Sequence, residues 1–117
     1  MKKTKLVLDS NLWVSYFFGK HVRNYLYKIL ADTRFDLLIS QRGIDELNIV
    51  LKRPKFEKHI SEEQIEMLNA LIRQRSTFIN VSSKIVLSRD SKDDYLLSLS
   101  LDGQADFLIT GDIDFLK

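Results

Sequence analysis

Lys5-Leu6-Val7-Leu8-Asp9-Ser10-Asn11 is the stretch on which the reading of the fold turns. Three consecutive aliphatics bounded by polar residues describe a strand covered on both faces, and its end delivers Asp9 to one edge of a sheet. Asp9 or Ser10 can act simply as the cap of the helix that Asn11-Leu12-Trp13-Val14-Ser15-Tyr16-Phe17-Phe18 begins, because such residues accept the free amides of a first turn. The far end of the chain repeats the design in Asp106-Phe107-Leu108-Ile109-Thr110-Gly111-Asp112, an apolar strand followed by an acid. Two strands aimed at one edge, each ending in Asp, point to a site as well as to a cap.

Between these ends, helices alternate with short strands. Asn11 to Phe18 reads as an apolar helix stopped by Gly19. His21 to Leu30 then sets Val22, Tyr25, Leu26, Ile29 and Leu30 at helical spacing. Asp36-Leu37-Leu38-Ile39-Ser40 is a second strand, and the order strand, helices, strand implies a parallel sheet with crossovers. A helix from about Gln41 to Arg53 carries Ile44, Leu47, Val50 and Leu51 on one stripe, and Pro54 ends it. Ser61-Glu62-Glu63-Gln64 makes a capping box for a scaffold helix reaching about Arg75. Phe78-Ile79-Asn80-Val81 is the third strand expected, and Phe107 to Thr110 the fourth.

Several acids can be sorted by geometry. Each helical residue turns about 100°, so Glu46 falls on the rim of the apolar stripe and Asp45 near the opposite side. Glu46 is then the acid able to look into a half-buried cleft, although both also fit exposed positions. Arg89-Asp90-Ser91-Lys92-Asp93-Asp94 precedes the nearly apolar helix Tyr95-Leu96-Leu97-Ser98-Leu99-Ser100-Leu101. Acids suit a first helical turn because the dipole favours negative charge there. Periodicity does not choose between Asp93, which lines up with Leu96, Leu97 and Ser100, and Asp94. Asp114 fits either a site or a turn cap.

Composition narrows the chemistry. A chain of 117 residues with 44% apolar residues can build one core, and no run approaches a membrane span. Asp9, Ser10 and Asn11 interrupt the apolar region behind Lys2, Lys3 and Lys5, so no signal peptide is expected and the location expected is cytoplasmic. With no cysteine and only His21 and His59 as nitrogen donors, a bound metal would be held by oxygen, which favours Mg2+ or Mn2+ over zinc. Net charge is +2, yet residues 20–75 hold eleven Lys and Arg against eight Asp and Glu, while residues 87–117 hold three against seven. Lys52-Arg53-Pro54-Lys55-Phe56 with Lys58-His59 is a basic connection that suits either a solvated turn or a grip on phosphates.

Ligand sites in open parallel sheets lie at the carboxyl ends of the strands, which would bring Asp9 and Asp112 together. Clustered carboxylates repel, and one or two divalent cations relieve that repulsion. Metals so held activate water and stabilise an in-line displacement at phosphorus, which suits phosphodiester hydrolysis.

The ordered set Leu8-Asp9-Ser10-Asn11, Asp45-Glu46-Leu47 through Leu51-Lys52-Arg53-Pro54-Lys55-Phe56, Arg89-Asp90-Ser91-Lys92-Asp93-Asp94 and Ile109-Thr110-Gly111-Asp112-Ile113-Asp114 resembles the PIN-domain ribonucleases. The resemblance runs from about Lys5 to Lys117, and the Arg-Pro-Lys-Phe piece is most similar to a branch of toxin components of type II toxin–antitoxin systems. It implies a three-layer α/β/α sandwich with a mainly parallel sheet and a metal-dependent endoribonuclease. It also implies that Asp9, Glu46, Asp93 and Asp112 form the acidic catalytic and metal site, with Asp114 as a further ligand and Asp94 as a helper. Asn11 would orient Asp9 or the attacking water, and Thr110 would lie beside the site. The family resemblance adds Mg2+ or Mn2+, an RNA substrate, a cognate antitoxin and a homodimer. Arg42, Lys52, Arg53 and Lys55 are the basic candidates for holding RNA. The sequence stops soon after Asp114, where family members continue, so the expectation is one PIN-like domain over residues 1–117 short of the usual last strand or helix.

Two other classes compete. A catalytically silent RNA- or protein-binding module would keep the fold without the reaction. A phosphatase or receiver-like domain would also place an Asp after the first strand, but Asn11 stands where a haloacid-dehalogenase phosphatase has its second Asp, and no late lysine sits in receiver register.

Overall fold

The computed structural model describes residues 2–82 and 91–109, apart from the side chains of residues 91–93. Its elements run β1 (Thr4–Leu8), α1 (Ser10–Phe18), α2 (Lys20–Ala31), β2 (Phe35–Ile39), α3 (Gln41–Leu51), a 3-10 turn (Pro54–Phe56), α4 (Glu62–Arg75), β3 (Ser76–Phe78), α5 (Ser91–Gly103) and β4 (Phe107–Ile109). The four strands form one parallel sheet in the order β3-β2-β1-β4. Parallel neighbours cannot be joined by hairpins, so helices supply the connections between them.

The side-chain alternation of β1 and β2 divides the core in two. Leu6 pairs with Leu37 and Val7 with Leu38, and successive residues of a strand point to opposite faces. Leu6 and Leu37 join the larger cluster, which also contains Leu12, Trp13, Leu26, Ile44, Leu47, Ile65 and Ile72 from α1 to α4. Val7 and Leu38 pack instead with Tyr95, Leu96 and Leu99 of α5. Helices therefore cover both faces, giving the three-layer α/β/α arrangement expected from the sequence. Among the described residues no helix is long and apolar enough to cross a membrane.

Local signals set the element ends. The Ser61 hydroxyl accepts the Gln64 amide at 3.1 Å while the Gln64 side chain accepts the Ser61 amide at 2.8 Å, the reciprocal box that starts α4. α3 ends at Leu51, two residues earlier than expected, because Pro54 holds Arg53 in extended conformation and itself starts the 3-10 turn.

The third strand also differs from expectation. It occupies Ser76–Phe78 rather than 78–81, opposite Leu37, Leu38 and Ile39. Ile79 and Val81, whose apolar character suggested the later strand, pack on the α5 side of the core instead. The expected fourth strand is present as Phe107–Ile109, and its expected last residue, Thr110, lies outside the described residues.

The α1–α4 layer should be the chief source of stability. Ile72 is fully buried in it, so Ile72→Ala is expected to lower unfolding free energy by about 2–5 kcal/mol through lost transfer energy and the cavity left behind. Urea denaturation should show a lower midpoint at unchanged slope; an unchanged midpoint would mean that the cluster contributes little.

Candidate active site

β1 ends where Asp9 begins, and the backbone there stays extended (φ −64°, ψ 141°) before turning into α1. The Asp9 carboxylate accepts the Asn11 amide at 3.2 Å, and the Ser10 hydroxyl lies 3.5 Å from the same oxygen. Asp9 thus caps α1 while only 4% exposed. Its own amide donates to the carbonyl of Ile109 at 2.9 Å, so the carboxyl end of β4 lies directly beside it. Cap and site component are compatible roles, because both require an acid fixed at this edge.

The second element is α3, started by Ser40, whose hydroxyl accepts the Gly43 amide at 3.1 Å. Along this helix the two adjacent acids separate as the helical geometry requires. Asp45 is exposed and accepts from the Gln41 side chain at 2.9 Å. Glu46 is half-buried, accepts from Arg42 Nε at 2.9 Å, and lines a cavity of about 40 Å³ together with Leu8, Ser10, Gly43 and Tyr95. That volume admits a water molecule and not a nucleotide.

The third element is α5. Asp94 is buried in its first turn, and Tyr95, next to it, is 7% exposed with a hydroxyl that completes no hydrogen bond of good geometry among the described residues, although the Gly43 backbone lies close enough to act on its ionisation. Gly43 lies directly beside this hydroxyl, a Cβ there standing in contact with the Tyr95 oxygen at 3.4 Å. The Arg42 guanidinium lies 4.3 Å from the centre of the Tyr95 ring. Burial, and after it the charge of Glu46, pushes the ionisation of Tyr95 upward, so this hydroxyl keeps its proton as a donor at neutral pH. Sequence reasoning missed Tyr95 as a polar group, treating it as the first apolar residue of a buried helix. The available signal was its position directly after two acids at the head of an aliphatic run.

The carboxyl edge therefore holds Asp9 at the end of β1, its neighbour Ser10 lines one cavity with Glu46 and Tyr95, and Asn11 is exposed as the second residue of α1. Asp112, Asp114 and Thr110 lie outside the described residues, as does the side chain of Asp93. Among the described residues no three acids or histidines gather as a metal-binding group. Arg42 is at this edge, paired with Glu46. Lys52, Arg53 and Lys55 are exposed at the far end of α3 and in the turn that follows it.

Among curated proteins no match to this chain is found. A family model described as PIN domain matches residues 5–114, nearly the whole chain and all three of the elements that build this edge. Such domains have a nuclease-type fold. By this match, and with the parallel sheet and its two helical layers, the chain belongs to the PIN-domain family.

Proposed function

We propose that this protein is a metal-dependent endoribonuclease that hydrolyses RNA phosphodiester bonds and acts as the toxin of a toxin–antitoxin pair. The observation that carries the assignment is the buried Asp9 at the carboxyl end of β1, on the edge shared with Glu46 and the head of α5. In this reading residues 1–117 form one PIN-like domain in the cytoplasm, and an antitoxin and a second copy of the chain are its protein partners. Asp9, Glu46, Asp93 and Asp112 are the catalytic acids and, with Asp114, the metal ligands; Asp94, Asn11 and Thr110 support them.

The donor chemistry fits a hard cation. Every acid placed at this edge offers oxygen, there is no thiolate in the chain, and His59 lies at the other end of α1 beside Phe18. When bound, Mg2+ or Mn2+ would supply an activated water and charge stabilisation at phosphorus.

The protein's own groups have distinct tasks. Asp9 is held in one orientation by the cap it makes. Glu46 is held loosely: its partner Arg42 sits four residues away on the same helix, and their side chains are 37% and 55% exposed. An ion pair of that kind contributes only about 0.3–0.5 kcal/mol. Glu46 can therefore exchange Arg42 for a cation at little cost, releasing a guanidinium already placed beside the site for a phosphate oxygen. The Tyr95 hydroxyl can donate to a water or an oxygen in the cavity, and Lys52, Arg53 and Lys55 would hold the RNA backbone.

One observation favours the silent binding module instead, namely that Glu46 is already neutralised by Arg42. Cleavage of labelled RNA with Mn2+ separates the two readings. Asp9→Asn should cut at least about 100-fold more slowly than wild type, and equal cutting by both proteins would rule out the nuclease assignment.

Stability should tell the two roles of Asp9 apart. Asn also caps helices well, so Asp9→Asn should unfold near the wild-type midpoint, whereas Asp9→Ala should lose about 1 kcal/mol with the cap. If the two variants unfold alike, the cap is not a significant contribution. Millimolar Mn2+ should raise the melting temperature of wild type, by linkage, and not that of Asp9→Asn, and excess chelator should reverse the rise. A rise of the same size in both proteins would place the cation elsewhere.

A further inference from the structure

α1 and α3 both begin at the carboxyl edge of the sheet, pack on each other, and end together. At their far ends Phe18 is 51% exposed, and its ring centre lies 5.3 Å from that of Phe56, with the planes 38° apart. The His59 ring meets Phe18 edge-on at 6.1 Å, and Lys55 Nζ lies 5.0 Å from the Phe56 ring centre. Phe56 is half-buried and packs on the larger core, so Phe18 and His59 are the rings that this end presents to solvent.

The surroundings show what would suit it. Lys20, Lys52, Arg53, Lys55 and Lys58 are all exposed near these rings in the sequence, against the single acid Glu57. The ion pairs among the described residues are Asp32–Arg34 and Arg42–Glu46, so none of these five cations is neutralised by a carboxylate there. Flat rings among unneutralised cations match a polyanion that carries flat bases, and the faces of those bases are available only when they are unpaired.

We infer that Phe18, Phe56 and His59 form a stacking subsite for unpaired bases of a single-stranded RNA segment, with its phosphates held by the surrounding lysines and Arg53. The inference rests on the ribonuclease reading for its choice of RNA. From the Asp9 cap to Phe18, α1 climbs about 13 Å, a span that a few nucleotides cover. The strand cut at the carboxyl edge could thus be anchored at the far ends of α1 and α3, and the subsite would select substrates with an unpaired stretch at that distance from the scissile bond.

Binding measured in chelator, where no metal-dependent cutting occurs, tests this separately from catalysis. Fluorescence anisotropy of a short labelled single-stranded RNA with the full chain should show Phe18→Ala binding about tenfold more weakly, and Phe18→Trp binding at least as well as wild type. A duplex of equal length should bind wild type and Phe18→Ala alike. Phe18 is half exposed, so both variants should still unfold in one cooperative transition, Phe18→Ala at a slightly lower temperature for its lost ring contacts. Phe18→Ala binding the single strand within twofold of wild type would overturn the subsite, as would an equal loss for single strand and duplex or no binding by wild type at all. Failure of the nuclease reading would appear elsewhere, as equal cleavage by wild type and Asp9→Asn, with the binding comparison unaffected.

Discussion

A strand in the middle of a parallel sheet has no free side. β1 is hydrogen-bonded to β2 on one edge and β4 on the other, and its side chains are claimed by separate cores above and below. Leu6, Val7 and Leu8 are apolar in succession for that reason, and a polar residue can first be accommodated where the strand ends. Asp9 is that residue. The constraint on β1 thereby determines where an acid can stand, and the chain enters and leaves the same edge through the caps of α1 and α3 and the head of α5.

A carboxylate buried to the extent of Asp9 would be costly without compensation. The Asn11 amide and the amino end of α1 supply it, since a helix start offers free donors and a favourable dipole. Folding thus fixes a carboxyl group in one orientation at the sheet edge. Glu46 differs in kind. It reaches the edge from the side of a helix, and its ion-pair partner among the described residues is a largely exposed arginine on the same helix. One acid immobile and one exchangeable is a useful pairing for a site that must admit and release a charged ligand, because the fixed group keeps the geometry while the loose one adapts.

Much of this was legible in residue order. The run from Lys5 to Asn11 specified β1 and its terminal acid, helical angles separated Glu46 from Asp45, and Ser61 to Gln64 marked the start of α4. The failures have physical causes. β3 is an edge strand whose register with β2 begins immediately after α4, so its polar Ser76 and Thr77 pair while the apolar Ile79 and Val81 serve packing against α5. Hydrophobicity reports burial, and at a sheet edge burial and pairing need not coincide. Tyr95 was hidden because a buried ring looks apolar in sequence, and its hydroxyl becomes informative only when its neighbours among the described residues are known. Phe18 passed as the last apolar residue of a helix, and its exposure depends on where α2 and the turn after α3 come to lie.

Charge gives the last step. A net +2 on 117 residues is a weak announcement of a nucleic-acid partner, and a uniform spread of that charge would attract RNA poorly. The fold does not spread it. Asp9 stands at the sheet edge with Glu46 on the helix that starts there, while the turn after α3 holds most of the cations around Phe18 and Phe56. Because screening limits each charge to about 8 Å at physiological salt, two regions separated by the length of α1 act almost independently. Under the proposed function, that separation would let one end of α1 and α3 attract a polyanion while the acids at the other end stay available to a cation, a division that the overall charge balance conceals.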